Sequence, residues 1–156
     1  KTMNALGPGV EAPTFQLVDQ GGETVSLADL SGKKVVVYFY PKADTPGCTK
    51  QSCSVRDHRD ELEAGGASMV GISPDTVGKQ KRFDDKYSLG FPLLSDMDHS
   101  VAEAYGAWGQ KKMYGKTVEG IIRSSFLIDG EGLILEANYK VKPDETVPKA
   151  LAKLSG

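Results

Sequence analysis

Six consecutive β-branched and aromatic residues, Val35-Val36-Val37-Tyr38-Phe39-Tyr40, stop abruptly at Pro41. Such side chains favour an extended strand, and a run without polar alternation, bounded by turn signals, reads as a strand buried in the interior. Pro41 ends it. Pro46-Gly47 then mark a tight turn, after which residues 48–63 are polar and compatible with a helix that stops at Gly65-Gly66. A buried strand, a stiff loop and a helix are thus fixed in succession, and the remaining elements have to fit around them.

Residues 12–18 and 23–27 flank Asp19-Gln20-Gly21-Gly22 and read as an N-terminal β-hairpin. Residues 68–73 form a second buried strand, and Ser73-Pro74-Asp75 opens a helix to about Tyr87. A short strand at 91–94, a short helix at 98–105, a second hairpin at 120–128 and 133–139, and a closing helix at 145–154 complete the pattern. Pro148 blurs the start of that last helix. This order argues for an α/β sandwich with a mixed central sheet and helices on both faces. With 156 residues, 39% of them hydrophobic, and no repeat or linker, residues 1–156 read as one domain with a core of its own.

Nineteen basic and 21 acidic residues leave a formal charge of −2, which provides no electrostatic footprint for nucleic acid or an anionic membrane. No apolar run approaches the length of a membrane span. The opening residues, from Lys1 to Gly9, lack the apolar stretch of a secretory signal, and a cytoplasmic location is expected.

The chain has two cysteines, Cys48 and Cys53. A bridge between them closes too small a loop to act as a structural staple. Cys48 lies where a strand has ended and a helix begins, so free backbone N–H groups and the helix dipole favour its thiolate, the form that attacks. At about 100° per residue, Val55 and Leu62 fall within roughly 20–40° of Cys48, whereas Cys53 is about 140° round. On an ideal helix the two Cα atoms are about 8–9 Å apart, beyond the roughly 7 Å limit for a disulfide. A Cys48–Cys53 bond therefore requires the helix to unwind. Spacing alone leaves a second reading open: two free helical cysteines, one packed and one exposed. A metal site lacks its partner ligands, and a thioredoxin-type C-x-x-C has a shorter spacer. Gly109 with Gly115-Lys116-Thr117 fails as a phosphate loop, because five residues separate the glycines and a strand-like run follows.

Pro41-x-x-x-Thr45-x-x-Cys48 resembles the active-site pattern of the peroxiredoxins, and the second cysteine five residues on is similar to the peroxiredoxin Q, or bacterioferritin comigratory protein, type. The resemblance continues through Gly71-Ile72-Ser73-Pro74-Asp75, Phe91-Pro92-Leu93-Leu94-Ser95-Asp96 and Trp108-Gly109 to Lys116-Thr117, ending in Gly120-Ile121-Ile122-Arg123-Ser124-Ser125-Phe126-Leu127-Ile128-Asp129. It implies a thioredoxin-like fold and a peroxidase without metal, flavin or haem. Cys48 is then the peroxidatic cysteine and Cys53 the resolving one. Thr45, Arg123 and the Cys48 backbone N–H hold the peroxide oxygens, with Pro41, Pro46 and Gly47 shaping the pocket. Hydroperoxides are the implied substrates, and thioredoxin or a similar dithiol the reductant.

Gln51 stands where many relatives carry Glu, which puts a salt-bridge role there in doubt. An internal resolving cysteine needs no partner subunit, so a monomer is expected. A redox sensor that relays oxidation to another protein is the alternative use of the same cysteines. Taken alone, Arg123 reads as a surface or ion-paired arginine and Thr45 as a turn or N-cap hydroxyl. His58 and His99 read as polar surface residues, and Tyr105 and Trp108 as core or collar.

Overall fold

The strand that carries the apolar run, β3 (Lys34–Phe39), has its last five residues buried and lies inside a seven-stranded sheet. The computed structural model describes residues 6–155. Of the N-terminal run read for a leader, residues 1–5 therefore lie outside the described residues. In chain order the other elements are β1 (Gln16–Val18), β2 (Thr24–Ser26), α1 (Pro46–Asp57), α2 (Arg59–Ala64), β4 (Ala67–Ser73), α3 (Val77–Tyr87) and β5 (Leu93–Ser95). They continue with α4 (Ser100–Ala104), β6 (Trp108–Met113), β7 (Lys116–Ile121), β8 (Ser124–Ile128), β9 (Ile134–Asn138) and α5 (Thr146–Ser155). Strand order in the sheet is β2-β1-β5-β4-β3-β8-β9. The pairs β3–β4 and β4–β5 are parallel; β1–β2, β1–β5, β3–β8 and β8–β9 are antiparallel.

Alternation along β3 divides the core in two. Val35, Val37 and Phe39 join Phe15, Val101, Ala102, Tyr105 and Phe126 on one face. Val36, Tyr38 and Tyr40 join Cys48, Val55, Leu62, Phe83, Val147 and Ala150 on the other. Helix α4 thus covers the first face, and α1, α2, α3 and α5 cover the second. This is the α/β sandwich with helices on both faces that the element order implies.

Two elements depart from the sequence reading. The helix expected over 48–63 breaks at His58, whose Nδ1 lies 2.9 Å from the Ser54 carbonyl already bonded by the His58 N–H at 3.1 Å. A side chain competing for the carbonyl one turn back bends a helix at that point. The strand expected over 120–128 is also divided. Gly120 and Ile121 belong to β7, which pairs with β6 in a separate two-stranded ribbon, and only residues 124–128 enter the main sheet. The ribbon turns at Tyr114-Gly115, both at positive φ (54° and 77°), as a two-residue hairpin turn requires. Pro148 occupies the third position of α5, where its missing N–H costs no helical bond.

Candidate active site

Helix α1 starts at a cap residue, Thr45, followed by Pro46, Gly47 and Cys48. Its first bond runs from the Thr49 N–H to the Thr45 carbonyl at 2.8 Å. Proline has no N–H, so the unbonded donors of this helix start belong to Gly47 and Cys48. Cys48 is 1% exposed, and its sulfur sits at the positive end of the helix dipole. The stripe that α1 buries is Cys48, Gln51, Ser52 and Val55, at the i, i+3, i+4, i+7 spacing of one helix face.

Arg123 reaches the sulfur from the short joint between β7 and β8. Its Nη2 donates to Cys48 Sγ at 3.5 Å, and its Nη1 donates to Gln51 Oε1 at 2.7 Å. Gln51 is fully buried and uses its amide nitrogen to donate to Thr146 Oγ1 at 2.9 Å, which fixes its orientation. The neutral amide therefore steers the guanidinium without a salt bridge. Gly47 makes the approach possible: a Cβ there would lie 3.0 Å from Arg123 Nη2 and 3.4 Å from Pro143 Cγ.

The loop leading into α1 is pinned at two points. Buried Asp75 accepts the Ala43 N–H at 2.7 Å and the Ser73 hydroxyl at 2.7 Å through the same oxygen. Asp44, at φ 61°, accepts from Lys86 Nζ at 2.9 Å and the Tyr87 hydroxyl at 2.8 Å. These two bonds hold its carboxyl below the ordinary carboxylate range. Thr45 makes no side-chain cap; its hydroxyl donates to the Lys42 carbonyl at 2.8 Å. The hydroxyl proton is thereby committed, and the oxygen's lone pairs remain to accept from a ligand.

Pro41 and Arg123 line a cavity of about 620 Å³ whose other walls come from β6, β7 and Lys140-Val141. Pro46 and Gly47, read from sequence as pocket residues, are not among its lining; Pro46 is exposed and Gly47 backs Arg123.

Cys53 is half-buried on another side of α1 from Cys48, and both are free thiols in this structure. Between them Ser52, fully buried, shares a 2.7 Å hydrogen bond with the hydroxyl of Tyr38 on β3. Burial first, and the nearby cysteines in addition, push the Tyr38 hydroxyl well above its ordinary range, keeping it neutral. Tyr105 is fully buried in the core, as expected. His99 stacks on Trp108 with ring centroids 3.8 Å apart and pairs with Glu103, away from the sulfur.

Gln51 drew notice in the sequence only for its missing charge and Asp75 only as part of the stretch 71–75; Thr146 and Lys111 drew none. Lys111, on β6, lines the same cavity and donates to the Ile121 carbonyl at 2.8 Å. Burial, and then the nearby Arg123, draw its ammonium below the ordinary lysine range, with Cys48 opposing. Nothing in linear spacing signals these contacts, whether they join distant elements, as Gln51 and Thr146 do, or the two strands of one hairpin, as Lys111 and Ile121 do.

Among the described residues no helix is long and apolar enough to cross a membrane. The chain is 52% identical over 150 residues to a putative peroxiredoxin of Mycobacterium tuberculosis, covering 96% of each. It is 54% identical over 132 residues to Peroxiredoxin Bcp of Escherichia coli K12, covering 85% of each. Its fold superimposes with a TM-score of 0.85 on the bacterioferritin comigratory protein of Xanthomonas campestris, a protein with alkyl peroxide reduction activity, at 37% identity and over 90% of each chain. The AhpC/TSA family pattern spans residues 8–137, from before the first hairpin to the last strand. A buried cysteine at a helix start, reached by an arginine from the joint that leads into the neighbouring strand β8, is thus set in a chain that belongs to the AhpC/TSA family, among the peroxiredoxins of the bacterioferritin comigratory, or Q, type.

Proposed function

We propose that the chain is a dithiol-dependent hydroperoxide reductase in which Cys48 is the nucleophile and Cys53 the resolving thiol. The observation that carries this reading is the Arg123 guanidinium, shared between Cys48 Sγ at 3.5 Å and a buried Gln51 carbonyl at 2.7 Å. A cation fixed beside a sulfur at a helix start stabilises the thiolate before attack and the charge that leaves afterwards.

The Cys48 thiolate attacks one peroxide oxygen and the O–O bond breaks. The departing oxygen leaves as alkoxide or hydroxide and takes up a proton, and Cys48 becomes a sulfenic acid. Arg123 and the Gly47 and Cys48 N–H groups face the charge developing on these oxygens. Thr45 accepts the proton side of the peroxide, since its own hydroxyl proton is held by the Lys42 carbonyl. The alkyl peroxide activity of the X. campestris relative and the cavity beyond Arg123 both favour organic hydroperoxides together with hydrogen peroxide.

Cys53 thiolate then attacks the Cys48 sulfur, the S–O bond breaks, and the departing hydroxide takes up a proton and leaves as water, giving a Cys48–Cys53 disulfide. An external dithiol, thioredoxin or a similar protein, reduces it, becomes a disulfide itself and supplies the two electrons that the peroxide consumes. Pro41 shapes the wall beside the attacked oxygen, and Gly47 gives the guanidinium room. An in-helix resolving thiol makes each chain sufficient for a cycle, in keeping with a monomer in the cytoplasm.

A coupled assay of peroxide loss with thioredoxin, its reductase and NADPH tests the assignment. Cys48→Ser should abolish turnover. Cys53→Ser should react once, leaving a trappable sulfenic acid, and then stop. Near-parental turnover by Cys48→Ser would end the reading.

A further inference from the structure

Arg123 is aimed by the two-residue joint Ile122-Arg123, which is held by several hydrogen bonds. The Ile122 N–H bonds the Ala107 carbonyl at 2.8 Å, the Ser124 hydroxyl bonds the Ile122 carbonyl at 2.7 Å, and the Val141 N–H bonds the Arg123 carbonyl at 2.9 Å. The carbonyl that remains is that of Ile121. Antiparallel rungs alternate between bonded and non-bonded pairs. With Ile122 bonded to Ala107, the Trp108–Ile121 rung is a non-bonded one, so the Ile121 carbonyl points out of the ribbon, away from β6.

Lys111 reaches it from the wrong strand. Its side chain starts on β6, crosses the face of β7 at Gly120 and donates to the Ile121 carbonyl at 2.8 Å. The crossing runs close over glycine: a Cβ at Gly120 would lie 3.2 Å from Lys111 Cε and 3.6 Å from its Nζ, so the lysine would have to shift from its present path. The half-buried ammonium stands near the Arg123 guanidinium, a like charge, in the cavity that both residues line. Placing two cations together in a partly desolvated wall works against stability unless the anion they share is part of the design.

We propose that Lys111 is a positioning residue of the peroxide site: by holding the Ile121 carbonyl across Gly120 it fixes the joint that aims Arg123 at Cys48. The inference rests on the site reading above and extends it to a residue outside the sulfur's immediate contacts. Loss of the lysine frees the carbonyl and lets the guanidinium wander from its 3.5 Å contact; the sulfur, Gln51 and Thr45 remain in place.

Rapid-mixing measurement of Cys48 oxidation tests it. Lys111→Met should slow oxidation by roughly tenfold, the equivalent of one charge-assisted hydrogen bond, with disulfide reduction by thioredoxin unchanged. Lys111→Arg, able to reach the same carbonyl, should recover most of the rate. Gly120→Ala should reproduce the loss with Lys111 intact, which guards against a misfolded Lys111→Met. In an Arg123→Ala background, Lys111→Met should add less than about a twofold further loss, because both changes act through one group. A parental oxidation rate in Lys111→Met or Gly120→Ala, or fully multiplied losses in the double variant, would overturn the proposal. Normal oxidation in Arg123→Ala would instead sink the site reading itself, so the two failures are distinguishable.

Discussion

The two faces of the central sheet both pack aromatic rings, but buried hydrogen bonds between side chains concentrate on one of them. On the face under α4, rings lock edge to face: Phe39 on Phe126 at 5.8 Å and 90°, and Tyr105 on Phe126 at 5.2 Å and 68°. On the face under α1, buried polar side chains satisfy one another. Tyr38 bonds Ser52, Tyr40 bonds Gln80, Gln80 bonds Ser73, and Gln51 bonds Thr146. Packed rings have nothing equivalent to gain from water, whereas a hydrogen bond is exchanged for one to water at a small net cost. The polar face is the one that the proposed disulfide must partly open in every cycle. If the disulfide forms as proposed, the contrast is between a core that stays closed and one that opens in each cycle.

Oxidation should divide the faces most sharply. If the Cys48–Cys53 bond unwinds the start of α1, amide exchange across residues 47–57 should accelerate by orders of magnitude in the disulfide form, with β3, β4 and β8 unchanged. Equal protection in both states, with the disulfide verified by mass, would break the comparison. Phe39→Ala should come next, costing about 3–5 kcal/mol of global stability in urea titration. A loss below about 1 kcal/mol would show that the ring cluster is not the permanent half.

Ser52→Ala should cost about 1–3 kcal/mol, because it leaves a buried tyrosine hydroxyl without a partner. Adding Tyr38→Phe should recover much of that loss, and additive losses in the double variant would deny the coupling. Tyr38→Phe alone should cost least, about 0.5–1.5 kcal/mol, since the Ser52 hydroxyl can turn to the carbonyl four residues back. It should still raise exchange across α1 more than across β8; uniform acceleration would make the bond a global support and not a local fastening.

What the sequence made legible was whatever is written in local pattern. The run at 35–40 announced β3, the prolines and Gly47 announced the loop, and helical spacing correctly separated Cys48 from Cys53. The β6–β7 ribbon escaped because its residues, Lys-Thr-Val-Glu on β7, are largely exposed and carry no apolar face. With the ribbon unseen, residues 120–128 looked like one strand, and the joint that aims Arg123 was hidden inside it. The roles of Lys111, Thr146 and Asp75 were hidden for a related reason: each is defined by the partner its side chain meets, and single positions do not encode partners.

The ribbon shares no rung with the seven-stranded sheet, and its tip, at Tyr114, is 99% exposed. One wall of the cavity is therefore a hairpin anchored in the core at its base, through Ile121 and Trp108, and free at its tip. Residues inserted between Tyr114 and Gly115 would lengthen or reshape that wall while every core strand kept its register. Selectivity for bulky or small peroxides can then drift, or be engineered, by grafting at the tip, with the attacking sulfur inherited unchanged.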